Sequence, residues 1–431
     1  MSDLLTELNR TIEATSPALA QALSPLGRRI HYPPDIPFQA AEARGKEVNG
    51  TIGQITDGAG KALALSAMSE QLAAMPEAAR NRSLLYSPVE GMPDVRQAWR
   101  AWQRRGVGEE VPSSLPLVTT GLTHGLSIVA DLFGGEGRSV VIPAPFWGNY
   151  RQTFAVRTGA KVIATPAYAG DGYDVEGLGR TLAALPAEEP ALLILNLPSN
   201  PGGYSLTLAE RGAVLGLLRE AAAARPLVVL CDDAYAGLVY EEEVPRASLF
   251  WELSGAHPNL IPIKVDGATK ELSFFGGRLG FLTFPFAPDS PVAQALESKA
   301  KGLLRSTVGS PVAVTQVMVL AALTDPRTPA EVEGLRQVLG ERYHILRAEL
   351  GKLDPALLKP LPFNSGCFAL VELPPGIEPE AARRHLLDHL STGLISVQPN
   401  YLRIAFCSVA AGTIPELVRR LERGIGELVT P

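Results

Sequence analysis

Cysteine is scarce in this chain. Cys231, Cys367 and Cys407 are its three thiols, odd in number and far apart. That argues against a disulfide framework, and the spacing lacks the paired cysteines of a zinc site. The three thiols are expected in the core of a cytoplasmic protein, with no metal. Basic blocks are missing as well. Lys and Arg number 39 against 45 Asp and Glu, for a net charge of −6, so no nucleic acid partner is expected. No run reaches the roughly 18 apolar residues of a membrane span, and none is expected. The start, Met1-Ser-Asp-Leu-Leu-Thr-Glu-Leu-Asn-Arg10, has no basic stretch leading into an apolar one and does not read as a signal peptide. Low-complexity tracts and internal repeats are absent too.

What is there is a large apolar fraction, 46% of 431 residues. That supports a sizeable core and exceeds one typical domain. Up to about residue 45 the chain reads as helix and irregular connection, with Tyr32-Pro-Pro-Asp-Ile-Pro37 breaking any helix. Val48 to Gly53 is strand-like. From about residue 90, apolar runs alternate with helical stretches. The strands are Leu115 to Thr120, Ser139 to Ile142 (stopping at Pro143), Lys161 to Ala164, Ala191 to Leu195, Leu227 to Leu230, Leu260 to Val265 and Gly280 to Phe284. Helices are read at Leu122 to Phe133 and Leu208 to Ala224. Strands without polar alternation, separated by helices, imply a parallel sheet covered on both faces. A long helical region follows from about Pro311 to Leu350, and then a tail of mixed strands and helices. The fold expected is α/β: a large domain at 80–310 with a mainly parallel seven-stranded sheet, and a smaller α+β domain built from 1–79 and 311–431.

In such a sheet, ligands sit beyond the carboxyl ends of the strands. Several polar residues fall there. Asp232 follows an apolar strand, in Asp232-Asp-Ala-Tyr235; it could charge-pair with a protonated ring nitrogen or cap a following helix, and Asp233 competes for the role. Asn200 lies in Asn196-Leu-Pro-Ser-Asn200-Pro-Gly-Gly203, a loop that two prolines and two glycines restrict. Lys270 and Arg278 lie in Asp266-Gly-Ala-Thr-Lys270-Glu-Leu-Ser-Phe-Phe-Gly-Gly-Arg278. An amine, a carboxylate, a phenol, an amide and a guanidinium in this order form a kit that holds pyridoxal 5′-phosphate, with Lys270 as its Schiff base. Gly121, Leu122 and Thr123 open a helix whose N–H groups suit a phosphate. His124 reads as a packed or exposed helix residue. Trp147 is the aromatic placed to stack on a pyridine ring. Arg403, alone in the apolar strand Tyr401 to Phe406, suits a substrate α-carboxylate or a protein salt bridge.

Together these runs resemble the class I/II aminotransferases, pyridoxal-phosphate enzymes of fold type I, from about Gly53 to Arg403. The resemblance implies Lys270 as Schiff base and proton shuttle and Asp232 on the ring nitrogen. It implies Asn200 and Tyr235 on the phenolic oxygen, Trp147 on the ring, Arg278 with Gly121 to Thr123 on the phosphate, and Arg403 on the α-carboxylate. It also implies that the Gly53 backbone approaches the substrate. Tyr86, in Tyr86-Ser-Pro-Val-Glu-Gly91, matches a tyrosine that reaches the partner subunit's phosphate, which implies a homodimer with shared active sites. Arg305 lies near an arginine that acidic-substrate members keep for a side-chain carboxylate; the alternatives are a helix surface or a dimer contact. There are departures. Gly267 stands where the family often has a phosphate-binding serine, and Gly202 where it often has threonine.

The reaction implied moves an amino group from an L-amino acid to a 2-oxo acid. The same residues would serve a β-eliminating lyase or a decarboxylase. A third reading, an aminotransferase-like ligand sensor, needs a basic helix-turn-helix domain ahead of the fold. The stretch before Gly53 is short and not basic.

Overall fold

The computed structural model describes residues 3–33, 35–108, 110–187 and 189–429. Met1, Ser2 and Pro34, which figure in the sequence reading, lie outside the described residues. Seven strands form the large sheet: β1 (Leu117–Thr119), β2 (Ser139–Ala144), β3 (Lys161–Pro166), β4 (Ala191–Asn196), β5 (Leu227–Asp232), β6 (Leu260–Gly267) and β7 (Gly280–Thr283). Their spatial order is β1-β7-β6-β5-β4-β2-β3. β7 runs antiparallel to both neighbours; the pairs among β2 to β6 are parallel.

The continuous apolar strands exist because both faces are covered. Ile142, Ile194, Leu230, Ile263 and Val265 pack on the helix Leu122–Phe133 side. Their neighbours Val141, Leu193, Leu195, Val229 and Cys231 pack against Leu178, Val214 and Leu218 on the other. Thr207 and Glu210 close a capping box at the start of the helix Leu208–Ala224, each side chain bonding the other's backbone N–H. A second sheet, antiparallel, has the order β8 (Lys359–Pro360), β9 (Phe368–Glu372), β11 (Tyr401–Ala405), β10 (Ile395–Val397). It packs on Tyr343, Leu346, Leu386, Leu417 and Leu421. Val48–Asn49 pairs in parallel with Thr392–Gly393, so segments from the two ends of the sequence join in this smaller unit.

Prolines account for the main local differences. Pro37 does not break a helix but opens one, Ile36–Glu42, where its missing N–H is no loss. β2 runs through Pro143 to Ala144, because there it is paired only with β3. The helical region 311–350 is interrupted at Asp325-Pro326-Arg327 between the helices Ala313–Thr324 and Thr328–Leu350. The helix Pro291–Thr307 and the strand β10 were not read from sequence.

Candidate active site

The carboxyl ends of β4, β5 and β6 and the start of β7 meet at one edge of the large sheet. Asp232 is the last residue of β5 and is buried. The Tyr150 hydroxyl donates to its Oδ2 at 2.6 Å, and the Ala234 N–H to its Oδ1 at 3.1 Å. No helix follows Asp232, so it caps none; its local bond is to a turn. Among the described residues no cation forms an ion pair with it. Burial pushes its carboxyl upward, against the Tyr150 hydrogen bond and the charge of Lys270. Asp233 turns away, toward Lys264 at 3.5 Å. A buried carboxylate with only neutral hydrogen-bond donors suits a cationic guest such as a pyridinium N–H.

Asn196 and Asp232 are register partners at the ends of β4 and β5. Asn196 Nδ2 donates to the Asp232 carbonyl at 2.9 Å, and its Oδ1 accepts from the Asn200 N–H at 2.7 Å. This fixes the loop that carries Asn200. Asn200 Oδ1 in turn accepts from Arg403 Nη1 at 3.0 Å. Arg403, on β11, is 1% exposed. Its Nη2 donates to the Thr51 carbonyl at 2.6 Å, and its guanidinium lies 4.3 Å from the centre of the Phe368 ring. Its Nε is buried without a partner. Desolvation lowers its pKa. This is a guanidinium with unspent donor capacity, which suits a carboxylate.

Lys270 sits on the short helix Ala268–Glu271 that follows β6. Its Nζ is 4.8 Å from the centre of the Tyr235 ring. Burial pulls the ammonium pKa down, and Asp232 opposes that. Tyr235 packs edge-on against Phe368 at 5.4 Å. Phe368 also meets Gly53: a Cβ there would fall 2.6 Å from its Cζ, so the Gly53 backbone approaches this ring. Trp147 stands edge-on to Tyr150 at 5.6 Å and shares with Asn200 and Arg403 a cleft of about 890 Å³.

Gly121 has φ +78° and precedes the helix Leu122–Phe133, whose first N–H groups lack intrahelical partners. A Cβ on Gly121 would lie 2.7 Å from Arg278 Nη2. The guanidinium and the helix start therefore face one small space, and Arg278 itself holds φ +49°. This cradle fits a phosphate. Thr120 N–H donates to His124 Nδ1 at 3.2 Å, and His124 Nε2 meets Thr307 at 3.0 Å, so His124 braces the turn.

The two glycine departures have steric reasons. A Cβ on Gly267 would fall 2.5 Å from the Leu279 carbonyl oxygen, and one on Gly202 would fall 1.9 Å from the Tyr168 hydroxyl. Backbone leaves no room for Ser at 267, whereas Thr at 202 would require the Tyr168 hydroxyl to move. Within one chain Tyr86 is not brought to this group; it is 97% exposed. Arg305 is exposed on the helix Pro291–Thr307. Sequence reasoning missed Tyr150, Asn196 and Phe368. Tyr150 lies one helical turn beyond Trp147, and Asn196 opens the loop already singled out, so both carried a signal. Phe368 carried none.

The sequence pattern of the family "Aminotransferase class I and II" matches residues 47–421. The chain belongs to this family. It is similar to the arginine–pyruvate transaminase of Pseudomonas aeruginosa, 27% identical over 334 residues, which is 76% of each chain. It is likewise similar to the 2-aminoadipate transaminase of Thermus thermophilus, 28% identical over 360 residues, 80% of this chain and 83% of that one. Among solved structures, its fold matches the α-aminoadipate aminotransferase of Thermus thermophilus, complexed with N-(5′-phosphopyridoxyl)-L-leucine. The TM-score is 0.75 at 24% identity, over 96% of this chain and 99% of that one. The protein is thus a pyridoxal-phosphate-dependent aminotransferase acting on amino acids and 2-oxo acids. No helix among its described residues is long and apolar enough to cross a membrane.

Proposed function

We propose that this aminotransferase seats the α-carboxylate of an L-amino acid on Arg403 and works on its Cα with Lys270. The observation that carries this is the buried Arg403 with a free Nε, tied to Asn200 on one side and to Phe368 on the other. Asp232 would hold the cofactor's ring nitrogen protonated. Asn200 and Tyr235 would hold its phenolic oxygen, and Trp147 would lie against its ring. Arg278, Gly121, Leu122 and Thr123 would hold the phosphate. Pyridoxal phosphate, when bound, supplies the electron sink that makes the Cα proton acidic. Lys270 would hold the cofactor in the resting enzyme and, with its amine free, would serve as the base for the substrate's Cα proton and as the donor that gives it back. Its lowered pKa favours the neutral amine this requires.

The oligomer proposed is a homodimer with shared active sites. Leu84, Leu85 and Tyr86 are 85%, 62% and 97% exposed in sequence, a cost one chain in water would not keep without a partner. The compartment proposed is a reducing cytoplasm, in keeping with three buried, unpaired thiols. The division proposed is 80–310 against 1–79 with 311–431, although the helix Ala313–Thr324 shares a core with Trp99 and Phe281.

The test is the half-reaction. Cofactor-loaded enzyme is mixed with single L-amino acids and no acceptor, and 2-oxo acid is measured. About one equivalent per site, absent in Lys270→Ala, is the expected result. Continuous release of pyruvate and ammonia, or of carbon dioxide, would instead make it a lyase or decarboxylase. Sedimentation of wild type against Tyr86→Ala and Leu85→Asp tests the dimer.

A further inference from the structure

Asp232 and Lys270 must act on one cofactor, yet Asp232 ends β5 and Lys270 sits on the short helix after β6. Beneath them, away from the cleft, runs a continuous chain of polar contacts, buried at Lys264 and Asp266 and half-buried at Gln103 and Glu271. The helix Pro93–Gln103 supplies three of its members. Trp99 Nε1 donates to Asp266 Oδ1 at 3.0 Å, and Trp102 Nε1 to Glu271 Oε1 at 2.6 Å. Gln103 Nε2 donates to Glu271 Oε2 at 2.8 Å, while Gln103 Oε1 accepts from Lys264 Nζ at 2.8 Å. Lys264 pairs closely with Asp266 and, at 3.5 Å, with Asp233. The path Asp233–Lys264–Gln103–Glu271 thus begins and ends at the residues that follow Asp232 and Lys270.

The placement is costly. Lys264, Asp233 and Asp266 are 1%, 5% and 0% exposed, two carboxylates to one ammonium. Apolar side chains of similar size would be at least as stable there, so stability is a poor reason for the cluster and fixed geometry a better one. The contacts also lock both sides of the turn that carries Lys270: Asp266 precedes it and Glu271 ends it. Burial pushes the Glu271 carboxyl up to about 7, with Asp266 adding to the rise and Lys264, Trp102 and Gln103 opposing it. Glu271 also shares a cavity of about 460 Å³ with Lys270, and the Arg105 guanidinium lies on its wall.

We propose that Gln103, Lys264 and Glu271 are positioning residues, a polar bridge that holds the Lys270 amine and the Asp232 carboxylate in one register. This rests on the reading of the site given above. Gln103 is the place to cut the bridge, because Gln103→Leu removes both of its hydrogen bonds and leaves the Lys264–Asp266 pair intact. Glu271→Gln cuts the same link differently: it keeps an acceptor for Trp102 but opposes two amide donors at Gln103. Full-length wild type and variants are loaded with pyridoxal phosphate. The pH midpoint of the bound cofactor's visible absorbance is measured, with kcat and KM for one amino acid and the thermal midpoint of the apoprotein.

Each single variant should shift the absorbance midpoint by about half a pH unit or more and lower kcat about tenfold, with KM within about twofold, as a small misplacement of reacting groups does. The double variant should be no worse than either single, because both cut one link. Singles that match wild type in midpoint and kcat, or that change only the apoprotein's thermal midpoint, overturn the positioning role and leave the site reading standing. A wild type that shows no cofactor absorbance attached to Lys270 overturns both.

Discussion

The two ends of the site are built from different materials. The end proposed for the phosphate is backbone: Gly121 at φ +78°, the N–H groups of the helix that follows, and Gly280, where a Cβ would sit 2.7 Å from the Gly121 carbonyl carbon. Within one chain, Arg278 is the side chain that faces it. The end proposed for the substrate carboxylate is made of side chains, Arg403, Asn200 and Phe368, gathered from β11, the loop after β4 and β9. A backbone cradle recognises an ion that never changes and tolerates no added atoms. A side-chain cradle from separate segments can move, close on a substrate and vary. The anchor proposed for the phosphate is held by close backbone packing, and the one proposed for the substrate by contacts between side chains of separate segments.

This contrast can be broken in order of expected effect. Lys270→Ala, which belongs to neither end, should lower transamination by about 10³-fold or more, read as 2-oxo acid formed per site. Arg403→Ala should lower kcat/KM by about 10²- to 10³-fold through loss of a buried charged donor, with cofactor affinity held. Gly121→Ala should do the reverse: a strained φ and a displaced Arg278 weaken cofactor affinity about 10- to 100-fold in equilibrium dialysis, with KM little changed. If both variants act on cofactor loading alike, the division of labour is wrong. Tyr150→Phe removes one hydrogen bond to the Asp232 carboxylate and should cost about tenfold in kcat.

The smallest effect is on stability. Glu271 keeps its proton in the fold up to about pH 7, above the 4.5 of an ordinary Glu. Its folded pKa is raised, so the folded state binds more protons between these values, and stability falls as pH rises through that window. Denaturant unfolding of the apoprotein should show this fall in wild type, and a flatter curve in Glu271→Gln.

Much of the frame was legible because its signals are local. The helices Leu122–Phe133 and Leu208–Ala224 carry their own starts, a glycine and a capping threonine. The strand Phe368–Glu372 is a compact apolar run. What stayed hidden depends on distant neighbours. Gly267 looked like the loss of a phosphate contact, and only the Leu279 carbonyl from β7's approach explains it. Phe368 gains its role only from Gly53, Tyr235 and Arg403, which the fold gathers around it. The bridge through Gln103 spans residues 103 to 271, and no spacing rule reaches that far.

The reversal of β7 has a kinetic consequence. Because this strand runs against β6, the connection 268–279 returns at once to the same sheet edge. A parallel strand would have required a crossover and would have started from the opposite edge. The amine of Lys270 and the guanidinium of Arg278 are thus brought together by closing one short hairpin, an early and inexpensive event in chain collapse. Arg403 must wait for a partner loop some two hundred residues away in the chain (|i−j| = 203). A folding chain would therefore bring Lys270 and Arg278 together before Arg403 reaches its partner loop.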